Sequence, residues 1–200
     1  MKRFETVSDL KGDVIECGVG EGQTFSMLAY LVGSEGKEPS RTLWGFDSFK
    51  GWPTPSKYDN SPRNPQQGEW KVDQRVVKKR LKDSQIYELY PNIDIKIVKG
   101  FLKNTLPKFP KDRKIALLHI DTDLYEGYND SLENLFPKVS KGGIICFDEY
   151  KEFPKRAPYN GKIAKWPGCD KAVDNFLTTI PGQFKLEHNV EANKYFLIKE

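Results

Sequence analysis

The chain has 200 residues, of which 38% are hydrophobic, 30% charged and 12% aromatic, and it carries a net charge of +4. This composition suits one sizeable α/β domain with a full core and excludes a disordered or collagen-like chain. No stretch approaches the roughly eighteen consecutive apolar residues of a membrane span, and Met1-Lys2-Arg3-Phe4-Glu5-Thr6 has no apolar signal region.

Apolar runs alternate with helix-like segments in chain order, the pattern of a parallel sheet wrapped by helices. The first strand is expected at residues 13–17. It ends in an acid, Glu16, and then a glycine-dense turn, Gly18-Val19-Gly20-Glu21-Gly22. A helix follows at 22–32 and stops at Gly33-Ser34-Glu35-Gly36. The second strand is expected at 42–46. Residues 48–68 are rich in Pro, Asn, Gln and Ser, too long an irregular stretch for an incidental connection.

A helix is predicted over 71–84, with Val72, Val76 and Leu81 on its apolar face. The third strand follows at 93–98, a short element after Gly100, and the fourth strand at 114–120. The fourth strand is apolar until its end, as a central parallel strand should be. A helix at 125–136 leads through Lys141-Gly142-Gly143 to a fifth strand at 144–147. A second long loop spans 149–168, and a helix spans 169–180 with Ala172, Val173, Phe176 and Leu177 inward. The strands at 183–188 and 194–198 lie too close for a crossover and form a hairpin. This places an antiparallel strand in an otherwise parallel, doubly wound, Rossmann-like sheet. There is no internal repeat, and residues 1–200 read as one domain.

The charge clusters at residues 78–82 and 108–114 read as solvated surface, and no nucleic-acid signature accompanies them. Cys17, Cys146 and Cys169 are odd in number and lack zinc-type spacing. A reducing cytoplasm is the expected location, with no membrane or nucleic-acid partner.

The glycine turn narrows the ligand. A dinucleotide fingerprint has glycines at its first, third and sixth positions, but Gln23 stands at the sixth here, and there is no Gly-Lys-Ser/Thr ending for a phosphate loop. An acid two residues before the first glycine suits a cationic ligand without phosphate, such as S-adenosylmethionine. Asp47 closes the second strand, where a carboxylate can accept both ribose hydroxyls of a nucleoside.

Asp121 closes the fourth strand, and Asp148 and Glu149 close the fifth. Neighbouring strands lie about 4.8 Å apart, so these carboxylates converge. Clustered acids repel unless a positive charge sits among them, and an all-oxygen set suits Mg²⁺ or another hard cation. Such an ion would lower the pKa of an acceptor hydroxyl and hold it in line with a methyl donor. Asp123, two residues on, is expected to point the same way as Asp121 or to cap the following helix. His119 is expected to be a hydrogen-bonded core residue. Tyr150, Lys151, Trp166 and Lys171, in or beside the second long loop, are candidate acceptor contacts.

Together these segments resemble the macrocin-type sugar O-methyltransferases, which methylate deoxysugars of macrolide and aminocoumarin antibiotics. The resemblance rests on residues 14–22, Gly45-Phe46-Asp47-Ser48 through Pro53, His119-Ile120-Asp121-Thr122-Asp123 through Glu126, Gly142 through Tyr150, and Pro167 through Phe176. It implies a class I methyltransferase fold whose last strand is antiparallel. S-adenosyl-L-methionine would lie against Glu16, Gly18, Gly20, Gly22, Asp47 and Ser48. The resemblance also implies Mg²⁺ on Asp121, Asp148 and Glu149, Asp121 as general base, a sugar or glycoside acceptor, and a homo-oligomer. Glu149 departs from the family, which commonly shows a second Asp there, and the relatives carry a longer segment before the first strand. Asp121-Thr122-Asp123 also fits the Asp-x-Asp signature of metal-dependent glycosyltransferases, an alternative that leaves the glycine turn unexplained. A non-catalytic nucleoside-binding protein is a third expectation.

Overall fold

The structure, a computed structural model, describes residues 2–36, 41–151 and 166–200. Its strands are β1 (Asp13–Cys17), β2 (Thr42–Asp47), β3 (Asp94–Lys99), β4 (Ile115–Ile120), β5 (Val139–Phe147), β6 (Phe184–Asn189) and β7 (Lys194–Lys199). The helices are α1 (Lys2–Glu5), α2 (Gln23–Ser34), α3 (Gln74–Asp83), α4 (Ile86–Leu89), α5 (Leu102–Thr105), α6 (Tyr125–Leu135) and α7 (Pro167–Thr179). One seven-stranded sheet runs in the order β3-β2-β1-β4-β5-β7-β6. The pairings from β3 through β5 are parallel, and β7 is antiparallel to both of its neighbours. The doubly wound sheet with an antiparallel terminal hairpin is the arrangement expected from the sequence.

All five residues of β1 are buried, so the strand needs cover on both faces. Alternation along the strand supplies it. Val14 joins Leu43, Leu117 and Ile144 in the core under Phe25, Leu28 and Val77. Ile15 and Cys17 join Phe46, Leu118 and Ile120 in the opposite core under Tyr128, Leu132, Ala172 and Val173. Gly45 permits the first of these contacts, because a Cβ there would come within 2.8 Å of the Phe25 ring. The strand order reverses direction beside β1, and a crevice opens at the carboxyl ends on either side of such a switch point.

Arg41 anchors the segment before β1. Its buried guanidinium donates to the carbonyls of Ser8, Leu10 and Gly12 and to Glu35. A planar five-donor group is well suited to gathering several carbonyls at once.

Two predicted elements differ. The helix expected over 71–84 begins only at Gln74, because the Asp73 side chain accepts the Arg75 N–H at 2.9 Å and caps it. Val72 therefore precedes the helix. Val77 and Leu81, four apart, form the buried stripe, and Val76 is 39% exposed. The fifth strand starts at Val139, not Ile144, with an irregular register against β4 that accommodates the glycine pair. Most of the predicted loop over 149–168 lies outside the described residues.

Candidate active site

The first β–α corner contains three glycines, each placed for a different reason. A Cβ on Gly18 would sit 1.7 Å from the Asp121 carbonyl oxygen, so this position is closed to side chains by the end of β4. Gly22, at φ 83, begins α2. Gly20 has φ 52 and faces open space, and its N–H donates to Asp47 Oδ2 at 2.9 Å. The second oxygen of Asp47 accepts the Phe49 N–H at 2.6 Å. Burial raises the Asp47 carboxyl and these backbone donors oppose the rise. A carboxylate offers about four lone-pair sites, so Asp47 keeps acceptor capacity beyond its backbone donors. Ser48 holds the next turn, donating to the Gly51 carbonyl and accepting the Lys50 N–H. Glu16, Gly18, Gly20, Asp47 and Ser48 all line one crevice of about 650 Å³.

The same crevice reaches the acids at the ends of β4 and β5. One ligand atom from each of His119, Asp121 and Asp148 lies within 4.8 Å of the other two. The fit to a divalent cation rests on this donor set: two strand-end carboxylates and an imidazole, drawn together where burial and Asp148 both raise Asp121. Glu149 is buried beside them. Its Oε2 takes the Tyr128 hydroxyl at 2.5 Å and the Asp123 N–H at 3.3 Å. Burial, with Asp121, Asp123 and Asp148 around it, holds the Glu149 carboxyl well above the ordinary carboxylate range. Asp148 behaves oppositely. Burial would raise it, but the Lys194 ammonium at 2.5 Å from Oδ1 carries it below its usual value.

His119 does what a core histidine should and more. Its Nδ1 lies 3.0 Å from Glu16 Oε1. Burial pushes Glu16 up to about 7, against the pull of His119. For His119, burial lowers the imidazole, but Glu16 together with Asp121 and Asp148 outweighs it and the net direction is upward. Glu16 Oε2 is buried without a hydrogen-bond partner.

Asp123 does not follow Asp121. Its φ of 61 turns the chain out of the extended geometry that would have aligned the two side chains. It does not cap α6 either, whose N-cap position is Leu124. The Tyr125 N–H at the start of α6 is satisfied by Asp59, from the long loop, at 2.8 Å. Asp123 Oδ2 instead accepts the Trp52 indole N–H at 3.0 Å, and burial together with Asp121 pushes its carboxyl up to about 8.

The far wall of the crevice is aromatic. Trp52 packs edge-on to Trp166 at 5.4 Å and tilted to Trp70 at 6.4 Å. The Arg63 guanidinium lies 5.1 Å from the Trp52 ring centre and forms an ion pair with Glu69. Trp70 is 62% exposed and held at φ 59, an uncommon conformation for a bulky residue. Of the expected acceptor contacts, Trp166 lines the crevice. Tyr150 is buried in the core and bonded to Asp174. Lys151 and Lys171 are exposed, away from the lining.

Residues 3–176 match the family model described as macrocin-O-methyltransferase (TylF). The chain belongs to this family. It is 31% identical over 142 residues to the 8-demethyl-8-(2,3-dimethoxy-alpha-L-rhamnosyl)-tetracenomycin-C 4'-O-methyltransferase of Streptomyces olivaceus, covering 70% of this chain and 53% of that one. It is 30% identical over 176 residues to demethyldecarbamoylnovobiocin O-methyltransferase of Streptomyces niveus, covering 84% and 59%. The chain thus spans between half and two thirds of the length of these curated relatives. Among solved structures, the calicheamicin methyltransferase CalS11 superposes with a TM-score of 0.79 at 27% identity, over 98% of this chain and 76% of that one. Among the described residues, no helix is long and apolar enough to cross a membrane.

Within this macrocin-type frame, several site residues had no signal of their own in the sequence. Asp59 and Lys194 lie far along the chain from what they hold. Only the sheet order places Lys194 beside Asp148. Trp52 and Trp70 are ordinary loop aromatics until the loop is folded. The Glu16–His119 pair was in principle legible, since both side chains sit one residue before the ends of adjacent central strands.

Proposed function

We propose that this chain is an S-adenosylmethionine-dependent O-methyltransferase acting on a sugar hydroxyl of a glycosylated small molecule. Family membership supports the reaction class. The observation that carries the reading is the single crevice joining the open Gly20 corner and Asp47 to the convergent acids of β4 and β5. The names of the curated relatives, which specify a rhamnosyl tetracenomycin and demethyldecarbamoylnovobiocin as the molecules methylated, support a glycoside acceptor. The same membership does not favour the Asp-x-Asp glycosyltransferase alternative.

When bound, S-adenosylmethionine supplies an electrophilic methyl on a cationic sulfur, and Mg²⁺ supplies a Lewis acid for the acceptor oxygen. The chain does the rest. Asp47 takes the ribose hydroxyls on its spare lone pairs, with Ser48 fixing the turn behind it. Gly20 leaves the ligand room, Gly18 lets the corner close on β4, and Gly22 starts α2. Glu16, through its unpartnered oxygen, gives the cationic end of the cofactor a buried acceptor. Asp121 accepts the acceptor hydroxyl's proton, and Asp121, Asp148 and His119 would hold the cation, with Glu149, the third ligand expected from the sequence, buried beside them outside that donor group. The tryptophan wall faces the acceptor, whose weakly polar ring faces can stack on indole.

The test is calorimetric titration with S-adenosylmethionine and S-adenosylhomocysteine, with and without Mg²⁺. Micromolar binding of both is expected, and no heat with either would remove the reading. Undiminished turnover in excess chelator would remove the metal but leave the methyl transfer.

A further inference from the structure

The terminal hairpin looks purely structural, since β7 only fills the sheet between β5 and β6. Its first residue has a second effect. Phe147 pairs with Tyr195 in the β5–β7 register, so Lys194 arrives opposite Asp148, just past the end of β5. The Lys194 ammonium lies 2.5 Å from Asp148 Oδ1 and 2.5 Å from the Asp148 backbone carbonyl. Its side chain is 18% exposed. It is a positive charge fixed among carboxylates that would otherwise face one another.

We propose that Lys194 is a built-in rival of the divalent cation: it neutralises Asp148 while the cation is absent, and loading of the site requires it to release that carboxylate. The inference rests on the metal reading above and adds a residue outside the family-matched segment, residues 3–176. Two observations support it. Asp148 belongs to the set of close donors with His119 and Asp121, so the ammonium and a cation would compete for the same carboxylate. The ammonium also holds a backbone carbonyl, which leaves it a resting place after it gives up Oδ1. The geometry therefore makes the hairpin a regulator of cation affinity: the acids alone would bind more tightly than the chain does.

The experiment is calorimetry of the full chain with Mn²⁺ and with Mg²⁺ alone, together with thermal melts, on wild type, Lys194→Met, Lys194→Arg and Lys185→Met. Lys185 pairs with Glu187 on the exposed hairpin and serves as the charge control. Lys194→Met should bind Mn²⁺ about tenfold more tightly, the effect of removing one unit charge beside a divalent ion in a solvent-like dielectric. Without cation it should melt lower than wild type, and Mn²⁺ should raise its melting temperature more than it raises that of wild type. Lys194→Arg, which keeps the charge and should fold if Lys194→Met does not, should bind as wild type or more weakly. Lys185→Met should change nothing. Cation binding to Lys194→Met but not to wild type would support the inference in its strongest form. Equal or weaker binding by Lys194→Met, with wild type binding, would overturn the inference and spare the metal site. Binding by neither would overturn both.

Discussion

Asp47 and Asp148 close strands on opposite sides of β1, and the fold neutralises them by different means. Asp47 is held by two backbone N–H groups, from Gly20 and Phe49. Those donors belong to turns that cannot rotate away without unfolding the corner. Asp148 is held by the flexible side chain of Lys194. Fixed dipoles make one half of the crevice ready for a ligand at no reorganisation cost. An exchangeable ammonium makes the other half a place where one positive charge can replace another. The crevice thus pairs a rigid half with an exchangeable one.

The contrast can be broken experimentally. The largest effect is expected from Asp121→Asn, which removes the proton acceptor proposed above: turnover should fall by about 10²–10⁴-fold while the calorimetric affinity for S-adenosylmethionine stays within a few-fold. An equal loss in both quantities would show that the two halves are not separable. Asp47→Ala should weaken cofactor binding by at least about tenfold, the worth of one or two hydrogen bonds to a charged group, and should leave cation binding unchanged. Trp70→Ala should raise acceptor KM roughly fivefold with no change in cofactor affinity, because the indole is exposed and its loss removes only stacking. An altered cofactor dissociation constant in that variant would place Trp70 on the wrong side of the crevice.

The smallest effect sharpens the comparison through pH. Burial holds Asp123 up to about 8 and Glu16 up to about 7 in the folded chain. Unfolded carboxyls titrate near pH 4. Between about pH 4 and 8 the folded state therefore binds more protons than the unfolded state, and stability falls as pH rises. Without divalent cation, the melting temperature should drop across this range. Asp123→Asn should flatten the upper part of the decline and raise the melting temperature at pH 8 by a few degrees. A profile unchanged by that substitution would mean that Asp123 ionises freely in the fold.

Much of this was legible in the sequence because it is local. The glycine turn, the acids at strand ends and the apolar runs of β1 and β4 follow from two-residue alternation and from where strands must stop. The strand order then brings Glu16, Asp47, Asp121 and Asp148 to one edge. Side chains whose partners are distant were not legible. The misplaced start of α3 shows a milder form of the problem: Val72 and Val76 satisfy a helical period, but the Asp73 cap decides where the helix begins and which valine faces inward. Asp123 shows a stronger form. Extended geometry would align it with Asp121, and a single left-handed residue turns it toward Trp52 instead.

Asp59 carries a consequence for anyone wishing to change what this crevice accepts. One carboxylate takes the Ser56 hydroxyl and N–H and the first N–H of α6, and a Cβ on Gly168 at the start of α7 would lie 1.8 Å from it. The loop is therefore pinned where the two helices begin, and an insertion near Asp59 would drag both of them along. Retuning by exchanging indole side chains leaves the architecture undisturbed, whereas retuning by altering loop length would not.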